Sequence, residues 1–165
     1  MKRLVGLLVA AAVLVSSAPA FAASDWDPDD VDGPLDMKWI GARFMPDDRF
    51  RLTISFYDGF RPSAIPLRHG KRNSVTVTFT DFLTGFFFRR QNERIMLFYG
   101  DFGSDCCDKA PVRQPSPNVL RVTFPTVHDP ADLTYEVRAR STWHHEGETF
   151  RDRTGWLRLG RPPEG

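Results

Sequence analysis

The chain has 165 residues, 22 Lys+Arg, 21 Asp+Glu and 2 Cys, with a formal charge of +1. That balance excludes the strongly basic footprint of a general nucleic-acid binder. The length suits one domain with a buried core, and beyond the first residues no apolar run approaches the ~18 residues of a membrane helix.

In chain order, residues 1–22 read as a secretory signal peptide. Lys2 and Arg3 supply the positive start and residues 4–15 are apolar without a break. Ala20 and Ala22 fit a small-residue cleavage site. The expected location is secreted or extracytoplasmic. Residues 23–34 form an acidic N-terminal arm, and residues 35–165 are expected to form a single β-sandwich domain.

Residues 50–57 alternate strictly. Phe50, Leu52, Ile54 and Phe56 share one face, with Arg51, Thr53, Ser55 and Tyr57 on the other. The same period recurs in Val75, Val77 and Phe79, then in Leu120, Val122 and Phe124. It returns in Leu133, Tyr135, Val137 and Ala139, where Glu136, Arg138 and Arg140 point outward. Residues 35–44, 85–89, 94–99 and 156–159 give weaker strand signals, for about eight strands in all. Met45-Pro46-Asp47-Asp48 and Asp58-Gly59 are turn signals, and Gln91-Asn92-Glu93 is short enough to close a hairpin. Residues 100–118 and 144–155 read as long interruptions, and no helical stripe follows the signal peptide. The predicted fold is all-β: an antiparallel, jelly-roll-like β-sandwich.

The segment Asp27-Pro28-Asp29-Asp30-Val31-Asp32-Gly33-Pro34-Leu35-Asp36 resembles the opening of a group of secreted bacterial proteins common in actinobacteria. These begin with an Asp-Pro-x-Asp-x-x-Gly-x-Leu-Asp type segment and continue as a β-rich domain. The resemblance implies export and one β domain, and it brings no catalytic residues. Members of the group carry cysteines placed to pair across the domain, which the adjacent Cys106 and Cys107 do not offer.

The same segment is the main candidate site. Asp27, Asp29, Asp30, Asp32 and Asp36 concentrate carboxylates, with Asp25 just before them. Calcium takes six to eight oxygen ligands, largely carboxylate and carbonyl. An EF-hand does not fit: Asp30 stands where glycine is required, Asp36 is shorter than the usual bidentate Glu, and no helices flank the loop. Two readings stay open. One is a Ca2+ site of another geometry at the sandwich edge; the other is a set of turn-capping aspartates around Pro28 and Pro34.

Cys106 and Cys107 are vicinal. Their Cα atoms lie about 3.8 Å apart, short of the usual disulfide range of about 4.4–6.8 Å. A strained vicinal disulfide, an intermolecular bridge and two free thiols are the alternatives. Asp101, Asp105 and Asp108 nearby disfavour a reactive thiolate. His69, His128 and the pair His144-His145 lack zinc-ligand spacing. Gly-x-Ser-x-Gly, Ser-x-x-Lys, the P-loop and Gly-x-Gly-x-x-Gly are missing, so the chain reads as more a non-enzyme than an enzyme.

Aromatic residues are abundant. Phe86-Phe87-Phe88 requires either two covered faces or an exposed ring, while Trp26 and Tyr57 are candidates for an exposed platform. Arginine outnumbers lysine 18 to 4. Arg138 with Arg140, and Arg89, Arg90 and Arg94, form outward groups suited to an anionic glycan or to a solvated face. The expected function is a secreted, non-catalytic binding module, with calcium stabilisation one of the two open readings of its acidic segment, its target a glycan, a cell-envelope component or an exported protein. The alternatives are an extracytoplasmic hydrolase with an unrecognised carboxylate site and an envelope protein that self-associates through its cysteines. No nucleic-acid partner and no membrane span in the mature chain are expected.

Overall fold

The computed structural model describes residues 22–31, 33–45, 49–65, 73–79, 84–101, 108–125 and 135–159. Asp32, His69, Cys106, Cys107, His128 and Leu133 lie outside the described residues. Twelve strands occur among those described: β1 (Ala22–Trp26), β2 (Met37–Met45), β3 (Arg49–Phe56), β4 (Ser74–Phe79), β5 (Thr84–Gln91), β6 (Arg94–Asp101), β7 (Asp108–Pro111), β8 (Arg113–Ser116), β9 (Val119–Pro125), β10 (Tyr135–His145), β11 (Glu148–Arg153) and β12 (Leu157–Leu159). A 3-10 turn, Pro62–Ala64, follows β3.

The strands form an antiparallel β-sandwich. One sheet has the order β1-β2-β3-β9-β8; the other runs β11-β10-β4-β5-β6-β7, with β12 also pairing with β10. Short connections build meanders within each sheet, and the chain passes between sheets after β3, β7 and β9. No helix among the described residues is long and apolar enough to cross a membrane.

The alternating rows bury as their period dictates. Phe50, Leu52, Ile54 and Phe56 of β3 face Val75, Val77 and Phe79 of β4 and Val137 and Ala139 of β10 across one continuous core. Aromatic rings join the layers. Phe50 meets Phe79 edge-on at 5.4 Å between centroids, and Phe86 lies 4.6 Å from Phe79 and 5.6 Å from Phe124. All three rings of Phe86-Phe87-Phe88 are covered. Phe86 and Phe88 point into the core, whereas Phe87 points out and stacks on Phe98 at 5.7 Å beside the Arg89 guanidinium.

The strand count exceeds the sequence expectation of about eight because residues 22–26, 108–111, 113–116 and 148–153 are also strands. Residues 22–26, expected to belong mostly to the acidic arm, pair with β2 in the register Ser24–Gly41 and Trp26–Trp39. The expected interruption at 100–118 contains β7 and β8, and that at 144–155 contains the β10–β11 hairpin. Glu146 and Gly147 turn that hairpin with φ of 49° and 89°. These four strands, β1, β7, β8 and β11, are the two edges of each sheet. An edge strand tolerates proline and polar residues because one of its hydrogen-bonding sides is free. The DKAP and RQPS sequences of β7 and β8 therefore carry no alternation.

Candidate metal centre

Between β1 and β2 the chain crosses the end of the sandwich and is pinned there by the main chain. The Asp27 N–H donates to the Lys38 carbonyl at 3.1 Å, and the Tyr57 hydroxyl donates to the Asp27 carbonyl at 2.7 Å. The Asp36 N–H closes a turn onto the Gly33 carbonyl at 3.2 Å, and the Tyr57 N–H donates to the Asp36 carbonyl at 3.0 Å. Gly33 adopts φ of 139°, and a Cβ there would lie 2.8 Å from Trp143 Cδ1. Both the backbone conformation and the indole against it require glycine. Leu35 follows as a core residue, so its neighbour Asp36 is carried inward with it.

The second sheet completes the site. Asp152 on β11 sits opposite Ser141 of β10. Its Oδ2 accepts the Met37 N–H at 2.6 Å, and Ser141 Oγ donates to the Leu35 carbonyl at 2.6 Å. These bonds fasten residues 35–37 to the β10–β11 edge, and the bond to a carboxylate is of the stronger, charge-assisted kind.

One carboxylate oxygen each of Asp30, Asp36 and Asp152 lies within 4.8 Å of the others. Asp27 feels the charges of Asp152, Asp30 and Asp36, and Asp36 those of Asp152, Asp29 and Asp30. Asp36 is 2% exposed and Asp152 is 8% exposed. Among the described residues no donor reaches either oxygen of Asp36, nor Oδ2 of Asp27. A carboxylate facing a carboxylate satisfies neither unless one holds a proton or a cation stands between them. Burial, then contact with Asp152, pushes the Asp27 carboxyl up to about 7. Burial, then contact with Asp29, does the same for Asp36, also to about 7. Burial and these aspartates together raise the Tyr57 phenol.

The structure thus brings Asp30 and Asp36 of the predicted set together, with Asp27 and Asp29 within reach of their charge, and adds Asp152, which the sequence reading missed. Asp152 falls in a stretch read as an interruption. Its signal was the period-two line Phe150, Asp152, Thr154, which places an aspartate on an inward row. The set is all oxygen, irregular and drawn from distant segments. That suits calcium, whose coordination is flexible, better than magnesium, which demands near-octahedral geometry. The fit rests on Asp36, whose two oxygens are buried and meet no donor among the described residues.

The other candidates stand apart. His144 Nδ1 lies 2.9 Å from Thr149 Oγ1, and His145 pairs with Glu146 at 3.6 Å on the exposed hairpin. Trp26 is 66% exposed. Arg138 lies over the Trp156 ring at 4.2 Å, and Arg89 over Phe98 at 4.9 Å, so both guanidiniums cover aromatic faces.

The chain matches no protein-family model, no curated protein and no solved structure.

Proposed function

We propose that the protein is an exported, non-catalytic binding module whose N-terminal arm is locked onto the sandwich by a calcium ion. One observation carries the cation: Asp36, buried, with both carboxylate oxygens unpartnered among the described residues and with Asp27, Asp29, Asp30 and Asp152 around it. A buried charge without compensation is costly, and a dication between the carboxylates offsets that cost. The covering of Asp36 and Asp152 argues against acid–base chemistry, since a catalytic carboxyl has to reach its substrate. Asp29 and Asp30 are exposed and leave a path for an ion. Export is supported by the charged, apolar and small-residue succession of residues 1–22.

The test is a thermal melt in EDTA and in millimolar calcium. A site that binds only the folded protein adds about 2.7 kcal/mol at a hundredfold excess over Kd, a rise of several degrees at this size. Calcium should raise the midpoint of the wild-type protein and leave that of Asp36→Asn and of Asp152→Asn unmoved. An unchanged wild-type midpoint overturns the cation and returns these aspartates to turn-capping.

A further inference from the structure

The outer face of the β1-β2-β3-β9-β8 sheet carries a second chemistry. On β2 the outward row is Trp39, Gly41, Arg43. Register places Arg43 directly opposite Arg51 of β3, and Arg121 of β9 opposite both Thr53 of β3 and Arg113 of β8. Four arginines from four adjacent strands therefore stand on one face. Like charges directly opposite on a sheet repel. Among the described residues none of Arg43, Arg51, Arg113 or Arg121 forms an ion pair with a carboxylate, and the polar contact of Arg51 is a long one to Thr123 Oγ1 at 3.4 Å. Burial, and then the neighbouring Arg43 and Arg121, lower the Arg51 guanidinium from its ordinary value. The chain as a whole is nearly neutral, so this face is a local concentration of positive charge.

The face is also shaped. Trp39 lies along the sheet over Gly41, where a Cβ would overlap the six-membered ring of the indole. Trp39, Arg43, Arg51, Thr53 and Arg121 line a groove of about 390 Å³. The exposed Trp26 stands beside Trp39 in the register, at the end of the groove nearer the aspartate cluster. A flat indole beside fork-shaped guanidiniums matches a ring that carries carboxylate or sulfate groups: the ring stacks, and the anions are held in a bidentate manner.

We propose that this groove binds an acidic polysaccharide, with a sugar ring on Trp39 and its anionic substituents on Arg43, Arg51 and Arg121. The proposal rests on the binding-module reading, and it uses none of the aspartates. A lipid surface fits less well, because the charges line a concave groove with an aromatic wall. A general polyanion site would need the charge alone and not the indole.

The experiment titrates the purified protein, in calcium-free buffer at a temperature where it is folded, with polygalacturonate, dextran sulfate, neutral dextran and phosphatidylglycerol vesicles. Polygalacturonate or dextran sulfate should bind, and which of them binds identifies the anion as carboxylate or sulfate. Arg51→Gln with Arg121→Gln should weaken that binding at least tenfold, and Trp39→Phe at least threefold, with each variant melting as a folded protein. The pair Arg140→Gln with Arg158→Gln, on the other sheet, should bind like the wild type. The proposal is overturned by equal losses in the two arginine pairs, by an indifferent Trp39, by equal affinity for neutral dextran, by binding to vesicles alone, or by no binding to either acidic polymer. A missing calcium shift in the melt sinks the cation reading without touching this one.

Discussion

Asp36 has no freedom to move its carboxylate into water. Its N–H is held by the Gly33 carbonyl and its own carbonyl by the Tyr57 N–H, while Leu35 before it and Met37 after it are core residues. In the absence of a cation the group must therefore take up a proton or bear the repulsion of Asp29, Asp30 and Asp152. The carboxyls of Asp36 and Asp27 are both raised from 3.8 to about 7, so the folded protein binds more protons than the unfolded chain between those values. Stability from this source is fully present below about pH 4 and is lost as pH rises through about 7. In EDTA, the thermal midpoint should fall by several degrees between pH 5 and pH 8. Asp36→Asn should flatten this slope and melt higher than the wild type at pH 8 in EDTA, yet lower than the wild type in calcium. That reversal of sign separates a cation ligand from a carboxyl kept for a hydrogen bond, which would lose stability in both media.

At the scale of the strand, β3 shows one residue row assigned to the core and the next to the surface. Its inward row, Phe50 to Phe56, was legible because two covered layers leave only the period-two pattern to choose the face. Its outward row reads in the sequence as ordinary polar residues. Only the pairing of β3 with β2 and β9 reveals that Arg51 faces Arg43 and neighbours Arg121. Cross-strand like-charge pairs of this kind destabilise a sheet by about 0.2–1 kcal/mol. Arg51→Gln should thus raise the unfolding free energy by roughly that amount in denaturant titrations at low salt, with the gain shrinking as salt is added. A loss of stability would mean that the guanidinium is held by a favourable contact on this face. Edge strands were illegible for a related reason. β7 and β8 make no demand on both faces of their backbone, so DKAP and RQPS look like loop in isolation.

Across the whole molecule, the aspartate cluster is where the two sheets are tied at one end, and this explains how far the sequence could lead. Asp27, Asp29, Asp30 and Asp36 crowd one short segment, so a cluster of carboxylates could be expected there from their density. Asp152 joins them from 116 positions beyond Asp36 in the chain, through the pairing of β10 with β11 and the bond from Met37 N–H. No local pattern encodes that meeting. The topology also sets what should come loose when the tie fails. β1 is an edge strand held by β2 on one side and continuous with the arm on the other, whereas β3 is central and flanked by β2 and β9. Amides whose opening needs only the edge to detach exchange by local unfolding, and central ones by global unfolding. Hydrogen exchange should therefore show faster exchange in chelator at Ala23, Asp25 and Asp27, whose N–H groups face β2, while Leu52 and Ile54 hold protection that follows the global stability. Calcium should slow the first group by a larger factor than the second. Equal factors for both would mean that the ion stabilises the fold as a unit and does not specifically clamp the arm.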